Sequence, residues 1–400
     1  MRARFGTLHG VVIALVCAWP LAASASAPLR APQILHVEAL HPSERLAADG
    51  STHMTFEVFG RRFELELQPN ERLSAILNPG TSARPMRGTI QGMPHSWVRL
   101  TRTAAGLSGA LFDGQELYAV EPSRDAAPFS VEVLSSTSRA PVIYRLADML
   151  LPDGLGICGA APAGRVPGAA TTALTGMDVF HALAADLQAA AAQLPTKQLD
   201  VGVVTDFEMF NFFNTQGIQV ADAVAARMNI VDGIFSSQVG IKINTADLTV
   251  ISVSKEPFTA PDAKTLLTQL RNWRATSAHQ LAFGITHLMT GRDMTGDTVG
   301  IAYIGAVCTG SFGASLSEGW RSTINSALIA AHEIGHNFGA PHDGDPAGAC
   351  ATTPTTFLMA AQINGSDQFS PCSLEQMRPV IAGASCLSAV ALADAALEIP

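Results

Sequence analysis

The sequence predicts an α/β domain on a twisted, mostly parallel sheet, preceded by a β-rich domain. Three observations predict it. From residue 198 onward, short β-branched runs alternate with amphipathic stretches, the strand–helix–strand pattern of a mixed sheet. Before residue 150, apolar and polar residues alternate with period two and are punctuated by glycines. Between the two lies LPDGLGICGAAPAGRVPGAATT (151–172), dense in glycine, proline and alanine, the composition of an exposed linker.

The 400 residues, 48% hydrophobic, suffice for one large domain or two ordinary ones. Only 15% are charged and the formal net charge is -9, which argues against nucleic acid, whose phosphates need a basic surface. At the start, Arg2 and Arg4 precede GVVIALVCAWPLAA (10–23), an apolar run too short to span a bilayer comfortably. Small residues in AASASA (22–27) follow it, so the stretch reads as a secretory signal, with a short membrane anchor as the alternative. No later stretch reaches the roughly 18 apolar residues of a membrane span. A secreted chain, extracellular or periplasmic, then carries Cys158, Cys308, Cys350, Cys372 and Cys386. An oxidising compartment favours disulfides among the last four, which allow three connectivities, and leaves Cys158 over.

MTFEVFGRRFELELQ (54–68) alternates on both sides of Gly60-Arg61-Arg62 and reads as a hairpin; short strands continue to Pro122. GMDVFHALAADLQAAAAQL (176–194) has helical composition and stops at Pro195. Strands are expected at 199–206, at 239–253 (one or two) and at 298–308, with helices at 217–237 and 262–276. A third helix over 322–339 is opened by Ser322 or Thr323 and closed by Gly339. The expected divisions are 1–27, 28–172, 173–197, 198–388 and a tail over 389–400.

That third helix carries HEIGHNFGAPHD (332–343). Residues four apart share a helix face, so His332 and His336 project together, a spacing that suits zinc. Glu333 stands beside them as a general base for a metal-bound water. His342 is too far along for helix geometry, but a left-handed Gly339 turns the chain back and lets it close the site. The fourth position stays open, as catalytic zinc requires. Histidine is 11 of 400 residues, so three at these offsets arise by chance about 0.01 times per chain. A metal site is the better reading.

H-E-x-x-H-x-x-G-x-x-H resembles the metzincin signature, and Asn337-Phe338 with Asp343 resembles the adamalysin (reprolysin) family of metalloproteases. TGRDMTGDTVGIAYIGAVC (290–308) is similar to the segment leading into that family's upper-rim strand, and FLMAAQINGSDQFSPCS (357–373) to its Met-turn. GTIQGMPHSWVRLTRTAAGLSGAL and LYAVEP, upstream, resemble its propeptide. The resemblance implies an α/β metzincin catalytic domain with an active-site helix and Met-turn over 198–388, behind a propeptide over 28–172. It implies one catalytic Zn2+ on His332, His336 and His342, Glu333 as catalytic base, Met359 as the apolar floor, and Asp343 as a structural brace. A lone methionine is ordinarily core filler, so Met359 rests on the resemblance. The implied disulfides are Cys308–Cys386 and Cys350–Cys372. Family members often bind Ca2+ through two acidic residues; Asp200 matches the first, but Gly284 stands at the second, leaving that set incomplete.

For Cys158 three roles stand: a free surface thiol, an intermolecular disulfide, or, as GICGAAP resembles, an inhibitory zinc ligand. The expectation is a secreted zinc metalloendopeptidase made as a zymogen, cleaved somewhere in 159–197. Its partners would be protein or peptide substrates and its own propeptide, with no nucleic acid and no membrane span. The competing class is a catalytically silent secreted binding protein on the same fold.

Overall fold

The computed structural model describes residues 32–48, 50–77, 81–151, 156–162 and 197–390. The expected signal over 1–27, the helix expected over 176–194 and most of the expected cleavage region lie outside the described residues.

Nine strands form an antiparallel sheet, in the order Glu38–Ala39, Pro141–Arg145, Leu117–Pro122, Gly106–Phe112, Trp97–Thr103, Arg84–Ile90, Arg61–Pro69, Thr52–Val58 and Ser43–Leu46. The hairpin turn falls slightly earlier than its glycine–arginine run suggests. Val58 pairs with Arg61, and the two linking residues, Phe59 and Gly60, have φ of 53° and 66°. Two consecutive left-handed residues are what a tight hairpin needs to match strand twist. Leu40, Met54, Phe63, Tyr118 and Ile143 share one core, so residues from both ends of this sheet meet.

The second sheet has seven strands. Its order is Ile157–Pro162, Thr298–Ile304, Ala314–Glu318, Ile285–Thr290, Lys197–Thr205 and Ile241–Val250, with Ser388–Ala389 paired to Lys197–Thr205. The last four strands of the main path run parallel to one another, and Thr298–Ile304 runs antiparallel to Ala314–Glu318. The stretch 239–253 yields one strand. The expected helices appear as Val220–Gln238, Ala263–Ala275 and Thr323–Asn337. Two further helices, Phe207–Thr215 and Pro371–Gly383, start at the side-chain caps Asp206 and Ser370.

Two expectations need correction. The segment around Cys158 is not an exposed linker: Ile157–Pro162 pairs in parallel with Thr298–Ile304, and Cys158 is 2% exposed. The small residues that suggested a linker are what permit this fit. A Cβ on Gly159 would lie 3.1 Å from Ile301, and one on Gly156, at φ 79°, would meet Val299 at 2.9 Å. The expected tail over 389–400 also begins inside the sheet, because Ala389 pairs with Lys197.

Helix Val220–Gln238 joins the two halves. Sixteen of its nineteen residues are buried, as expected for a helix covered all round. Leu73, Ile76 and Trp97 of the N-terminal part share one core with Val224, Ile234 and Phe235. Gly233 permits this approach, since a Cβ there would lie 2.8 Å from Arg99 and 2.9 Å from Trp97. At its centre Asp232 accepts from Arg72 Nη2 at 3.1 Å, Arg99 Nε at 3.0 Å and Asn70 Nδ2 at 3.2 Å. Its other oxygen accepts from Ile243 N and Ser236 Oγ, both at 3.1 Å. Burial opposes the charge on Asp232, but Arg72, Arg99 and Arg87 hold its carboxyl at about 2.

Candidate active site

Ser322 caps helix Thr323–Asn337 by accepting from Asn325 N, and the helix ends where Gly339 takes φ 103°. Gly339 donates to His336 O and Ala340 to Gly335 O, a turn that sends the chain back toward the helix face. The three histidines meet there. His336 Nε2 lies 3.0 Å from His332 Nε2 and 3.0 Å from His342 Nε2.

The approach of His332 to His336 is not a hydrogen bond. His332 Nδ1 bonds to Leu358 O and His336 Nδ1 to Ala340 O, each at 2.7 Å. A carbonyl only accepts, so in both rings the proton sits on Nδ1 and Nε2 presents a lone pair. Lone pairs facing at 3.0 Å repel unless a cation lies between them. Burial, with His342 nearby, lowers His332 to about 3, and burial drives His336 far down as well, so both stay neutral. Three neutral imidazoles, two oriented through their other nitrogen by backbone carbonyls, fit zinc.

Glu333 is fully buried, and among the described residues the Cys158 thiol is the only hydrogen-bonding group beside its carboxylate. Burial raises its carboxyl well above the usual range. It stands against strand Thr298–Ile304: a Cβ on Gly300 would lie 2.4 Å from its Oε1. Gly300 is thus a positioning residue whose lack of a side chain makes room for the carboxylate. On the other side is Cys158, and the ligand atoms of Cys158, His332 and Glu333 lie within 4.8 Å of one another. Burial, then the charge of Glu333, pushes the thiol well above its ordinary value. Gly300→Ala is expected to displace Glu333 and lower turnover about 100-fold with zinc content unchanged. Steady-state kinetics beside metal analysis checks this, and full activity would remove Gly300 from the account.

Met359 is fully buried beneath the helix; a Cβ on Gly335, between the first two histidines, would lie 2.9 Å from its sulfur. Its carbonyl accepts from Asp343 N at 2.9 Å. The Asp343 carboxylate accepts from Ser370 Oγ at 2.7 Å and Ser373 Oγ at 3.2 Å, tying the third histidine's loop to helix Pro371–Gly383. Disulfides Cys308–Cys386 and Cys350–Cys372 close the loops around this assembly.

The two positions considered for calcium do not converge. Asp200 accepts from Gln198 at 3.0 Å and Asn244 at 2.6 Å. Gly284 has no room for a carboxylate, since its Cβ would fall 2.3 Å from Leu199 and 2.6 Å from Cys386. Sequence reading missed an acidic cluster of Asp206, Glu208 and Glu256. Its charge is met internally: Arg292 Nη2 lies 2.7 Å from both Glu208 and Glu256.

The N-terminal part also reaches the start of the active-site helix, where Glu121 Oε1 accepts from Ile324 N at 3.4 Å. Burial, reinforced by Asp125, pushes Glu121 to about 7, against the pull of Ile324 N–H, Arg227 and Tyr144. In an N-terminal part separated from the other half, with Glu121 exposed to water, its carboxyl is expected to move back toward the ordinary value of 4.5. The charge penalty on docking is therefore absent below about 4.5 and complete above about 7. Asp125, also raised by burial, acts in the same direction, while Asp232 titrates far below this window. After cleavage between 163 and 196, the two halves should separate more readily at pH 8 than at pH 5. Size-exclusion chromatography at both values measures this; easier separation at pH 5 would contradict it.

Residues 195–370 match the family model Reprolysin_5, metallo-peptidase family M12. Human disintegrin and metalloproteinase domain-containing protein 33 is 26% identical over 367 residues, covering 84% of this chain and 42% of its own length. The chain thus spans less than half of that relative. Among solved structures, metalloproteinase-II from Bacteroides fragilis has a TM-score of 0.46 at 13% identity, covering 82% of this chain and 90% of that one. Residues 195–370, which contain the histidine motif, are thus similar to the reprolysin-type metallopeptidases of family M12.

Proposed function

We propose that this chain is a secreted zinc metalloendopeptidase made as a zymogen, with protein or peptide substrates. The observation that carries the reading is the convergence of three imidazole Nε2 atoms at 3.0 Å, two of them lone pairs by their partners. When bound, zinc lowers the pKa of a coordinated water toward about 7 and polarises the scissile carbonyl. With zinc held by His332, His336 and His342, Glu333 would be the base that takes up a proton at its carboxylate and returns it to the leaving amine. Its burial, with only the Cys158 thiol beside its carboxylate, suits a base that must exchange a proton at one place once that thiol is withdrawn. Two disulfides are compatible with export, and no described helix is long and apolar enough to cross a membrane.

The zymogen reading rests on Ile157–Pro162. An exposed edge strand is where an extended peptide adds to a sheet. Here the chain's own N-terminal part lies along Thr298–Ile304 and brings Cys158 beside Glu333 and His332. A thiolate there is a soft donor suited to zinc, which would leave no position for water. Cleavage of casein by the chain cut between 163 and 196, with and without a chelator, tests the protease reading. Proteolysis that the chelator stops and added zinc restores is expected; no cleavage by stoichiometrically zinc-loaded protein would overturn it. In the uncut chain, Cys158→Ser should raise casein cleavage by roughly tenfold or more, which needs only about 1.4 kcal/mol of lost inhibition. An uncut variant as silent as wild type would exclude the thiol as the inhibitory group.

A further inference from the structure

Between the N-terminal sheet and the start of the active-site helix lies a cavity of about 550 Å³, within the usual range for small-molecule sites. Phe129, Phe212, Phe213 and Trp320 line it, together with Arg124 from the N-terminal part and Arg227 from helix Val220–Gln238. Arg227 is 3% exposed. It donates Nη1 to Ala223 O and Nη2 to Arg321 O, both at 2.9 Å, and its guanidinium lies 5.0 Å from the Phe213 ring centre. Its Nε has no hydrogen-bond partner, and neither has Arg124 Nη2.

Glu121 and Asp125 lie close enough to act on the charge of Arg227, but no carboxylate hydrogen-bonds to Arg227 Nε or Arg124 Nη2. Asp222 accepts from Ser82 Oγ, Ser82 N and Ala83 N, and Glu318 holds Arg321. Asp125 reaches Arg124 through Nε alone, at 3.3 Å. Leaving buried N–H groups unpaired is costly, and a carboxylate accepts from two guanidinium groups at once. Water would satisfy the N–H groups, but only an apolar body removes four aromatic rings from water. Asn325, in the first turn of the active-site helix, adds a buried amide oxygen without a donor, matching a ring N–H or O–H.

We propose that this interdomain cavity is a binding site for a small aryl carboxylate, its ring among the four aromatic side chains and its carboxylate on Arg124 and Arg227. Because such a ligand touches both halves, it favours their docked state by mass action. This site stands apart from the zinc centre and does not depend on the protease reading.

The test is calorimetric titration of the full uncut chain carrying Glu333→Ala, which prevents self-cleavage, with indole-3-acetate, indole-3-acetamide and decanoate. Saturable binding of one indole-3-acetate per chain is expected, with the amide and decanoate each at least tenfold weaker. Arg227→Met should weaken the acid at least tenfold; Arg124→Met provides the same reading should near-ultraviolet circular dichroism find the first variant unfolded. Absence of saturable binding, equal affinity for acid and amide, or wild-type affinity in the folded arginine variants would overturn the site. Decanoate binding as tightly as the aryl acid would overturn the assignment to aryl ligands.

Discussion

Glu333→Gln is expected to lower turnover of the processed chain roughly 100- to 10,000-fold, the usual contribution of a positioned general base. Glutamine keeps the size and the contact with Gly300, where a Cβ would lie only 2.4 Å from the carboxylate. It cannot accept the water's proton. Zinc content should stay stoichiometric, because the three imidazoles are untouched and the two buried ones are oriented by the carbonyls of Leu358 and Ala340. Turnover should fall with little change in KM, since the role is confined to the reacting atoms. Casein cleavage within a factor of a few of wild type would remove Glu333 from the chemistry.

Asp232→Ala has the second largest expected effect. It leaves Arg72 and Arg99 buried without their carboxylate, and losing one partner of a buried charged pair costs about 3–5 kcal/mol. The effect is expected in the melting temperature of the uncut chain. Since Asp232 also accepts from Ile243 N and Ser236 Oγ, part of the loss belongs to the catalytic half alone. A double-mutant cycle with Arg99→Met isolates the interdomain part: the double variant should be less destabilised than the sum of the two single variants. Strict additivity would show that the pair does not hold the halves together.

The histidine site was legible because everything that builds it is local. Four-residue spacing on one helix, a left-handed glycine and a third histidine six positions on all fall within a dozen residues, and hydrophobic periodicity placed the helix that carries them. What depended on distant partners was not legible. Ala314–Glu318 has two serines and a glutamate among five buried residues and looks like no strand. Its serines are satisfied by His287 on the neighbouring strand, at 2.9 Å on each ring nitrogen. Cys158 sits among glycines and prolines that suggest solvent, and only the edge of a sheet almost 150 residues later makes it a buried strand residue. Asp232 and its arginines lie 133 and 160 residues apart, beyond any local pattern. Gly300 was readable only as a small residue in a strand, until the carboxylate beside it gave it a purpose.

The most direct test of the central claim is zinc K-edge absorption on the uncut chain, beside Cys158→Ser. The account predicts one zinc per chain with three nitrogen neighbours at about 2.0–2.1 Å and one sulfur at about 2.3 Å, the sulfur vanishing in the variant. Zinc without sulfur in the uncut wild type would contradict the thiol's role, and no bound zinc would contradict the site itself.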